Sequence, residues 1–300
     1  MNSTLMTAST SYSGRQSAQV PCKINLHLGI HTQKNQRGYH KVDSLMVPVA
    51  IYDTVTVNDA PELTVTHDPT LCVIPERTTT WKAAVLLSHK LGISPDVSIG
   101  VHVHIPEKAG LGGSSADAAA TLRLLAERWG VDPLDPLVVD VAKSVGADVP
   151  FFLDPRPSLM LGAGDTLEEA YTPTCDAPLV IVLPAEKGIL TQAAYDQFDV
   201  APEPPASYET LASLFTSGEK TVQQVADLLF NNLAPAAKVL EPHVAEVEAW
   251  LKQQSGVLGA QVSGSGSSSF ALCESQDAAD AIADAAKAMG WRNYSTQCQL

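Results

Sequence analysis

Apolar residues recur along this chain with two periods, and the periods predict its elements. From 20 to 30 (Val-Pro-Cys-Lys-Ile-Asn-Leu-His-Leu-Gly-Ile), Cys22, Ile24, Leu26 and Leu28 fall on one face of a strand. Lys23, Asn25 and His27 fall on the other. Val97, Ile99, Val101, Val103 and Ile105 alternate in the same way, and Pro106 ends that strand. Ala118, Leu122, Leu125 and Trp129 then follow a helical step. Residues 53–57 and 62–66 read as a hairpin of edge strands, and 177–183 as a buried strand. Helices are expected over 79–91 (inner face Trp81, Ala84, Val85, Ser88, Leu91) and 138–145 (Val138, Val141, Ala142, Val145). Others are expected from Thr191 through Tyr195 to Phe198, over 221–230 and 243–253, and over 276–289 (Ala278, Ile282, Ala285, Met289).

Composition narrows the possible roles. The 300 residues suffice for two domains, and 45% hydrophobic content supports ordinary cores. A net charge of −14 argues against nucleic acid or an anionic membrane as partner, and no apolar run reaches the length of a membrane helix. Residues 1–18 are Ser/Thr-rich without an apolar segment, so a disordered tail is expected rather than a signal peptide. The five cysteines (Cys22, Cys72, Cys175, Cys273, Cys298) show no metal-ligand spacing, which fits a reduced, cytoplasmic protein. His102 and His104 share a strand face without a third ligand, so they read as solvated.

The chemistry concentrates between the strand ending at Pro106 and the helix that follows. The loop reads Pro106-Glu107-Lys108-Ala109-Gly110-Leu111-Gly112-Gly113-Ser114-Ser115-Ala116. Glycines before a helix N-terminus allow close approach of backbone N–H groups to an anion, and the helix dipole favours negative charge. Ser114 and Ser115 add hydroxyls. The string lacks the Lys of a Walker loop, and Ser115 stands where a dinucleotide fingerprint needs its third glycine.

Pro-x-x-x-Gly-Leu-Gly-Gly-Ser-Ser-Ala resembles the phosphate-binding motif of the GHMP kinases. Three further stretches narrow the resemblance to the kinases of 4-diphosphocytidyl-2-C-methyl-D-erythritol, which serve the non-mevalonate route to isoprenoids. They are Pro21-Cys22-Lys23-Ile24-Asn25-Leu26, Gly38-Tyr39-His40 and Gly146-Ala147-Asp148-Val149-Pro150. Asn231-Asn232-Leu233 and the Ser-Gly-Ser-Gly run at 263–266 resemble later family motifs. The resemblance implies an α+β fold in two lobes, a ribosomal protein S5-like domain over 19–157 that binds ATP and a ferredoxin-like domain over 158–300. It implies catalytic roles for Asp148 as proton acceptor and Lys23 as its charged partner, ATP with Mg²⁺ on residues 106–116, and a monomer or homodimer. Asn25, Tyr39, His40, Thr191, Tyr195, Gly264 and Ser265 would contact the substrate, Tyr39 and Tyr195 sandwiching the cytosine ring.

Three departures stand out. Arg37 occupies the place of the family's Asp, Asp165 that of a Glu, and Thr78-Thr79-Thr80 that of an Asn-Leu pair near the nucleotide. Other readings are a GHMP kinase of the homoserine or mevalonate type, or a non-catalytic paralogue.

Overall fold

The computed structural model describes residues 14–69, 73–184 and 188–300. Most of the expected tail, residues 1–13, and Cys72 lie outside the described residues; Gln16 to Ala18 already belong to the first strand. The chain forms two compact units. One holds the residues up to Val20, Asp53–Val103 and Ser114–Asp154; the other holds Pro21–Tyr52, His104–Gly113 and Pro155–Leu300. Strands β1 (Gln16–Lys34) and β2 (His40–Asp59) each contribute residues to both.

The first unit adds β3 (Thr64–Asp68), α1 (Thr79–Leu91), β4 (Val97–His102), α2 (Gly113–Arg128), α3 (Pro136–Val145) and α4 (Val149–Leu153). The expected hairpin of 53–57 with 62–66 is not formed. Strand β4 lies between them, antiparallel to β2 (Val55 opposite Val101) and parallel to β3 (Val65 opposite Ile99). Val97, Ile99 and Val101 are buried, and a strand with such a clean apolar row gains two ladders by insertion where a two-stranded hairpin offers one. Thr78 caps α1 by accepting from Trp81 N at 3.2 Å, and Gly92 ends it in the left-handed conformation. The helix buries Thr80, Ala83, Ala84, Leu87 and Ser88; Val85, expected inside, is exposed. Helix α3 buries the four residues expected of it, and Asp135 caps it through Leu137 N. Helix α2 is buried on almost every side, from Ala116 to Leu122 and again from Leu124 to Ala126. At its far end the buried Arg128 pairs with Asp59 and donates to Gly14 O and to Gln16 Oε1.

The second unit adds β5 (Ser158–Leu161), β6 (Thr166–Ala170), β7 (Asp176–Leu183), α5 (Thr191–Val200), α6 (Glu209–Ser217), α7 (Val222–Ala226) and β8 (Phe230–Asn231). It continues with α8 (Ala234–Leu240), α9 (His243–Leu251), β9 (Val257–Val262), β10 (Ser269–Cys273), α10 (Gln276–Ala288) and β11 (Arg292–Gln299). Strands β11, β7, β10 and β9 lie side by side in that order, all antiparallel. With helices after β7 and after β10, this is the split β-α-β connection of a ferredoxin-like sheet, as the resemblance implied. Helices α9 and α10 cover it through Val247, Leu251, Ile282 and Ala286.

Two helical expectations need correction here. Helix α7 covers only part of 221–230, and α10 buries Ala279, Ile282, Ala283 and Ala286, leaving Ala285 and Met289 exposed. Alanines lie on both sides of α10, so its apolar period has little contrast and the packing partner sets the face. Strand β11, α6 and α8 were not foreseen.

One buried feature of the first unit carries a test. Asp53 of β2 and Asp117 of α2 are both buried and within hydrogen-bonding reach of each other. Burial, and then the neighbouring Asp53 charge, push the Asp117 carboxyl well above its ordinary value. A carboxyl raised in this way lowers stability at every pH above its unfolded value and has no effect below it. Asp117→Asn is therefore expected to raise Tm by roughly 2 to 6 °C at about pH 8, with a smaller gain at about pH 5. Thermal melts across that range check it; a gain independent of pH would show that the two carboxyls do not share a proton.

Candidate functional site

The glycine loop, 106–113, belongs to the second unit and is built by three left-handed residues, Lys108, Gly110 and Gly112 (φ 53°, 75° and 77°). Its four central carbonyls all turn into the protein. Lys108 O accepts from Ile189 N at 3.1 Å and Ser267 N at 3.4 Å. Ala109 O accepts from Ser268 N and, at 2.6 Å, from the Ser268 hydroxyl. Gly110 O accepts from Ser263 Oγ at 3.0 Å, and Leu111 O from Lys23 N at 3.0 Å. With its acceptors consumed inside the fold, the loop presents donors. The amides of 110–112 have no main-chain partner among the hydrogen bonds of the described residues, the condition for an anion-binding nest. Gly110 is obligatory: a Cβ there would lie 2.0 Å from Ser263 O.

Strand β1 supplies the second group. The alternation left open a solvated face for Lys23, Asn25 and His27, but all three are buried, exposed by only 4%, 3% and 1%. Burial at that level demands partners. Lys23 Nζ donates to Asn25 Oδ1 at 2.7 Å, Asn25 Nδ2 donates to Ser44 Oγ at 2.8 Å, and Ser44 Oγ donates to His27 O at 2.9 Å. The amide of Asn25 is thereby oriented with its oxygen toward the ammonium. His27 stacks on Phe230 and pairs with Asp43, which also takes His31. Burial alone would raise the Asp43 carboxyl; the two imidazole hydrogen bonds outweigh it and hold the group below its ordinary value.

The Ser-Gly-Ser-Gly loop, 263–266, joins these two groups. A Cβ on Gly264 (φ 54°) would lie 3.2 Å from Lys23 Nζ and 3.0 Å from Gly110 O, so glycine is what lets this loop pass the lysine. Asn231 Nδ2 donates to Val262 O and Gly264 O, both at 2.9 Å, and fixes the loop from the other side. The hydroxyls of Thr191 and Ser265 lie 3.2 Å apart. The second unit thus gathers Lys23, Asn25, Gly110, Leu111 and Gly264, with Thr191 linked to Ser265.

Tyr39 and His40 lie nearby in sequence but differ in setting. Tyr39 ends the turn between β1 and β2 and is 56% exposed. His40 is buried; its Nδ1 is 2.7 Å from His31 O, and Tyr195 lies against its ring with centroids 5.6 Å apart. Tyr195 thus lies against His40, a partner the sequence did not suggest. Ser44, Gln261 (which donates to Asn25 O at 2.8 Å) and Asp43 were also missed. Each is polar on a strand reading as apolar, and that contrast was the available signal.

In the first unit, Ser114 and Ser115 open α2 and stand outside its buried core, while Ala116 is fully buried. Thr79 Oγ1 donates to Ser114 O at 2.6 Å, so Thr78 and Thr79 of the Thr78-Thr79-Thr80 run cap one helix and brace the start of another. Asp148 occupies the N-cap position of α4, half-buried, yet its side chain makes no capping bond. Its carboxylate is thus not consumed by helix capping. His102 and His104 are exposed, and no cluster suited to a metal ion occurs among the described residues. No helix among them is long and apolar enough to cross a membrane.

Residues 78–154 match the family described as GHMP kinases N terminal domain, and 211–290 match GHMP kinases C terminal. A 4-diphosphocytidyl-2-C-methyl-D-erythritol kinase of Streptomyces avermitilis is 34% identical over 282 residues, covering 91% of this chain and 92% of the relative. The same-named protein of Paramagnetospirillum magneticum is 35% identical over 275 residues, covering 89% and 92%. A crystal structure of 4-(cytidine 5'-diphospho)-2C-methyl-D-erythritol kinase superposes with a TM-score of 0.74 at 28% identity, covering 95% of this chain and all of the other. A homoserine kinase from Cytophaga hutchinsonii shares the fold, with a TM-score of 0.72 at 19% identity and 99% and 98% coverage. The chain belongs to the GHMP kinases, in the family of the 4-diphosphocytidyl-2-C-methyl-D-erythritol kinases.

Proposed function

We propose that this protein transfers the γ-phosphoryl group of ATP to the 2-hydroxyl of 4-diphosphocytidyl-2-C-methyl-D-erythritol. The observation that carries the reading is the buried Lys23–Asn25 pair held against the glycine loop through Leu111 O and against Gly264. A buried ammonium with a fixed amide partner beside an amide-lined loop is suited to a highly charged phosphate ester, and a purely structural strand has no use for it.

Phosphoryl transfer depends on positioning and on neutralised charge. The amides of residues 109–113 and the N-terminus of α2 hold the triphosphate. Asp148 accepts the proton of the attacking hydroxyl. Lys23 orients that hydroxyl and offsets the charge growing on the transferred group. The hydroxyls of Ser114 and Ser115 are hard oxygen ligands suited to Mg²⁺, which when bound with ATP offsets the charge of the phosphates. Tyr39 offers an exposed aromatic face to the cytosine, His40 hydrogen bonds to its edge, and Thr191 and Ser265 bind the substrate beyond it. Cys22, Cys175, Cys273 and Cys298 form no disulfide among the described residues, in keeping with a cytoplasmic enzyme.

Asp148→Asn should lower kcat by about 10²-fold or more with KM for ATP nearly unchanged, measured as ADP release from Mg-ATP and the cytidylyl substrate. A folded variant with full activity would remove Asp148 from its role. Run beside mevalonate and homoserine, the same assay assigns the acceptor, and turnover of either in preference would discard the cytidylyl substrate. Gly110→Ala places a methyl group on Ser263 O, so ATP affinity is expected to fall by at least about tenfold, read by titration calorimetry, while Gly100→Ala in β4, whose added methyl would meet only Thr66 Oγ1 at 3.8 Å, leaves it unchanged.

A further inference from the structure

Two of the departures from the family pattern meet in space. Arg37 donates through its guanidinium to the carboxylate of Asp165. The same guanidinium lies over the ring of Tyr39, its central carbon 5.2 Å from the centroid. Both anchors are well defined. The turn carrying Arg37 and Tyr39 is closed by Asn35, whose side chain accepts from Arg37 N at 2.9 Å and Tyr39 N at 3.1 Å, and Asn35 N donates to Tyr39 O at 2.8 Å. Asp165 ends the turn between β5 and β6; its other oxygen accepts from Ala163 N at 3.2 Å, and Val42 N ties that turn to β2 through Gly162 O. The Asp165 side chain is 7% exposed and that of Arg37 50% exposed, so a fixed buried acid holds a solvent-facing base. Burial alone would raise the Asp165 carboxyl; the hydrogen bond from Arg37, with the Ala163 amide, outweighs it and holds the group below its ordinary value.

An aromatic ring 56% exposed at the tip of a turn would otherwise sample several rotamers, and a flat ligand would bear the cost of ordering it. We propose that Arg37 and Asp165 form a specificity-determining clamp: Asp165 fixes the guanidinium, the guanidinium covers one face of Tyr39, and the opposite face is presented, already ordered, to the heteroaromatic base of a nucleoside diphosphate. The inference rests on the reading of Tyr39 as the base platform and extends it to two residues that touch no ligand. They are positioning residues. A guanidinium suits the task because it is planar and always charged, so it stacks on the ring and hydrogen bonds to the carboxylate together. The shorter Asp reaches Arg37 while keeping its second oxygen on Ala163 N.

The test uses the full chain, with CDP as probe in titration calorimetry and steady-state kinetics beside it. Arg37→Gln should weaken CDP about three- to fivefold and raise KM for the cytidylyl substrate by the same factor, with kcat and KM for ATP unchanged. Arg37→Gln combined with Asp165→Asn should be no worse than Arg37→Gln alone, because the two act as one device. Arg37→Lys, a point charge without a planar face, should keep the link to Asp165 and recover only part of the affinity. Tyr39→Ala separates the two readings. If it weakens CDP while Arg37→Gln does not, the clamp is overturned and the platform stands. If neither variant changes CDP binding, or if the wild-type chain does not bind CDP, the platform fails and the clamp with it. Tighter CDP binding in Arg37→Gln would show the guanidinium competing for the ring, and that also overturns the proposal. Arg37 lies on an exposed turn, so its variants are expected to fold; Tm measurements verify this, and the outcome does not hang on the buried Asp165.

Discussion

The constraint on which this molecule turns is the disposal of four consecutive carbonyls, from Lys108 to Leu111. Each accepts a hydrogen bond from elsewhere in the fold, and the donors come from β1, from Ile189 and from the 263–268 loop. A peptide plane that points its oxygen one way points its N–H the other. Fixing the oxygens inward therefore turns N–H donors to the opposite side of the loop, in a chain whose net charge is −14. The long-range field of such a chain opposes phosphate, so the attraction must come from donors at contact distance.

The same arrangement explains the unusual interior of β1. Lys23 donates its backbone N–H to the loop and its side chain to Asn25, so the strand bracing the glycine turn also carries the buried cation. A row of buried polar side chains next to a backbone-rich turn is costly unless every group is satisfied in series. Ser44 accepts from one neighbour and donates to the next, which carries the series as far as His27 O. Where that series ends, a carboxylate between two imidazoles begins another.

Much of this was legible from residue order, and the remainder fails for physical reasons. The strand beginning at Val97, the glycine loop and the existence of α1, α2 and α3 follow from period and capping, although β4 ends at His102 rather than at Pro106, and α3 alone of these helices has the contrast between faces that also gives its buried side. The inner faces of α1 and α10 were misplaced, since small residues on both sides leave the angle to whatever packs against them. The hairpin at 53–66 was wrong because strand order is decided by a third segment, β4, thirty residues further on. Strand β11 (Arg-Asn-Tyr-Ser-Thr-Gln-Cys-Gln) is polar and announces itself only through its partner β7. Of the candidate residues, Lys23, Gly110 and Gly264 could be named from motifs, but their mutual proximity could not, because it depends on contacts between segments remote in sequence. Ser44 and Gln261 carried no motif and were found only through what they touch.

The seam between the two glycine-rich loops has a consequence for how the molecule comes into being. The bond from Ser263 to Gly110 spans 153 residues of sequence, and that from Ser268 to Ala109 spans 159. Contacts so distant in sequence form only after much of the chain has been ordered, and they make assembly of such a fold slow. During synthesis the ribosome will have emitted the complete glycine-loop motif long before the residues that turn its carbonyls inward exist. A nascent chain therefore carries the glycine-loop sequence without its shape, and a ligand that stabilises the fold by binding there can do so only after residues 263–268 have been made.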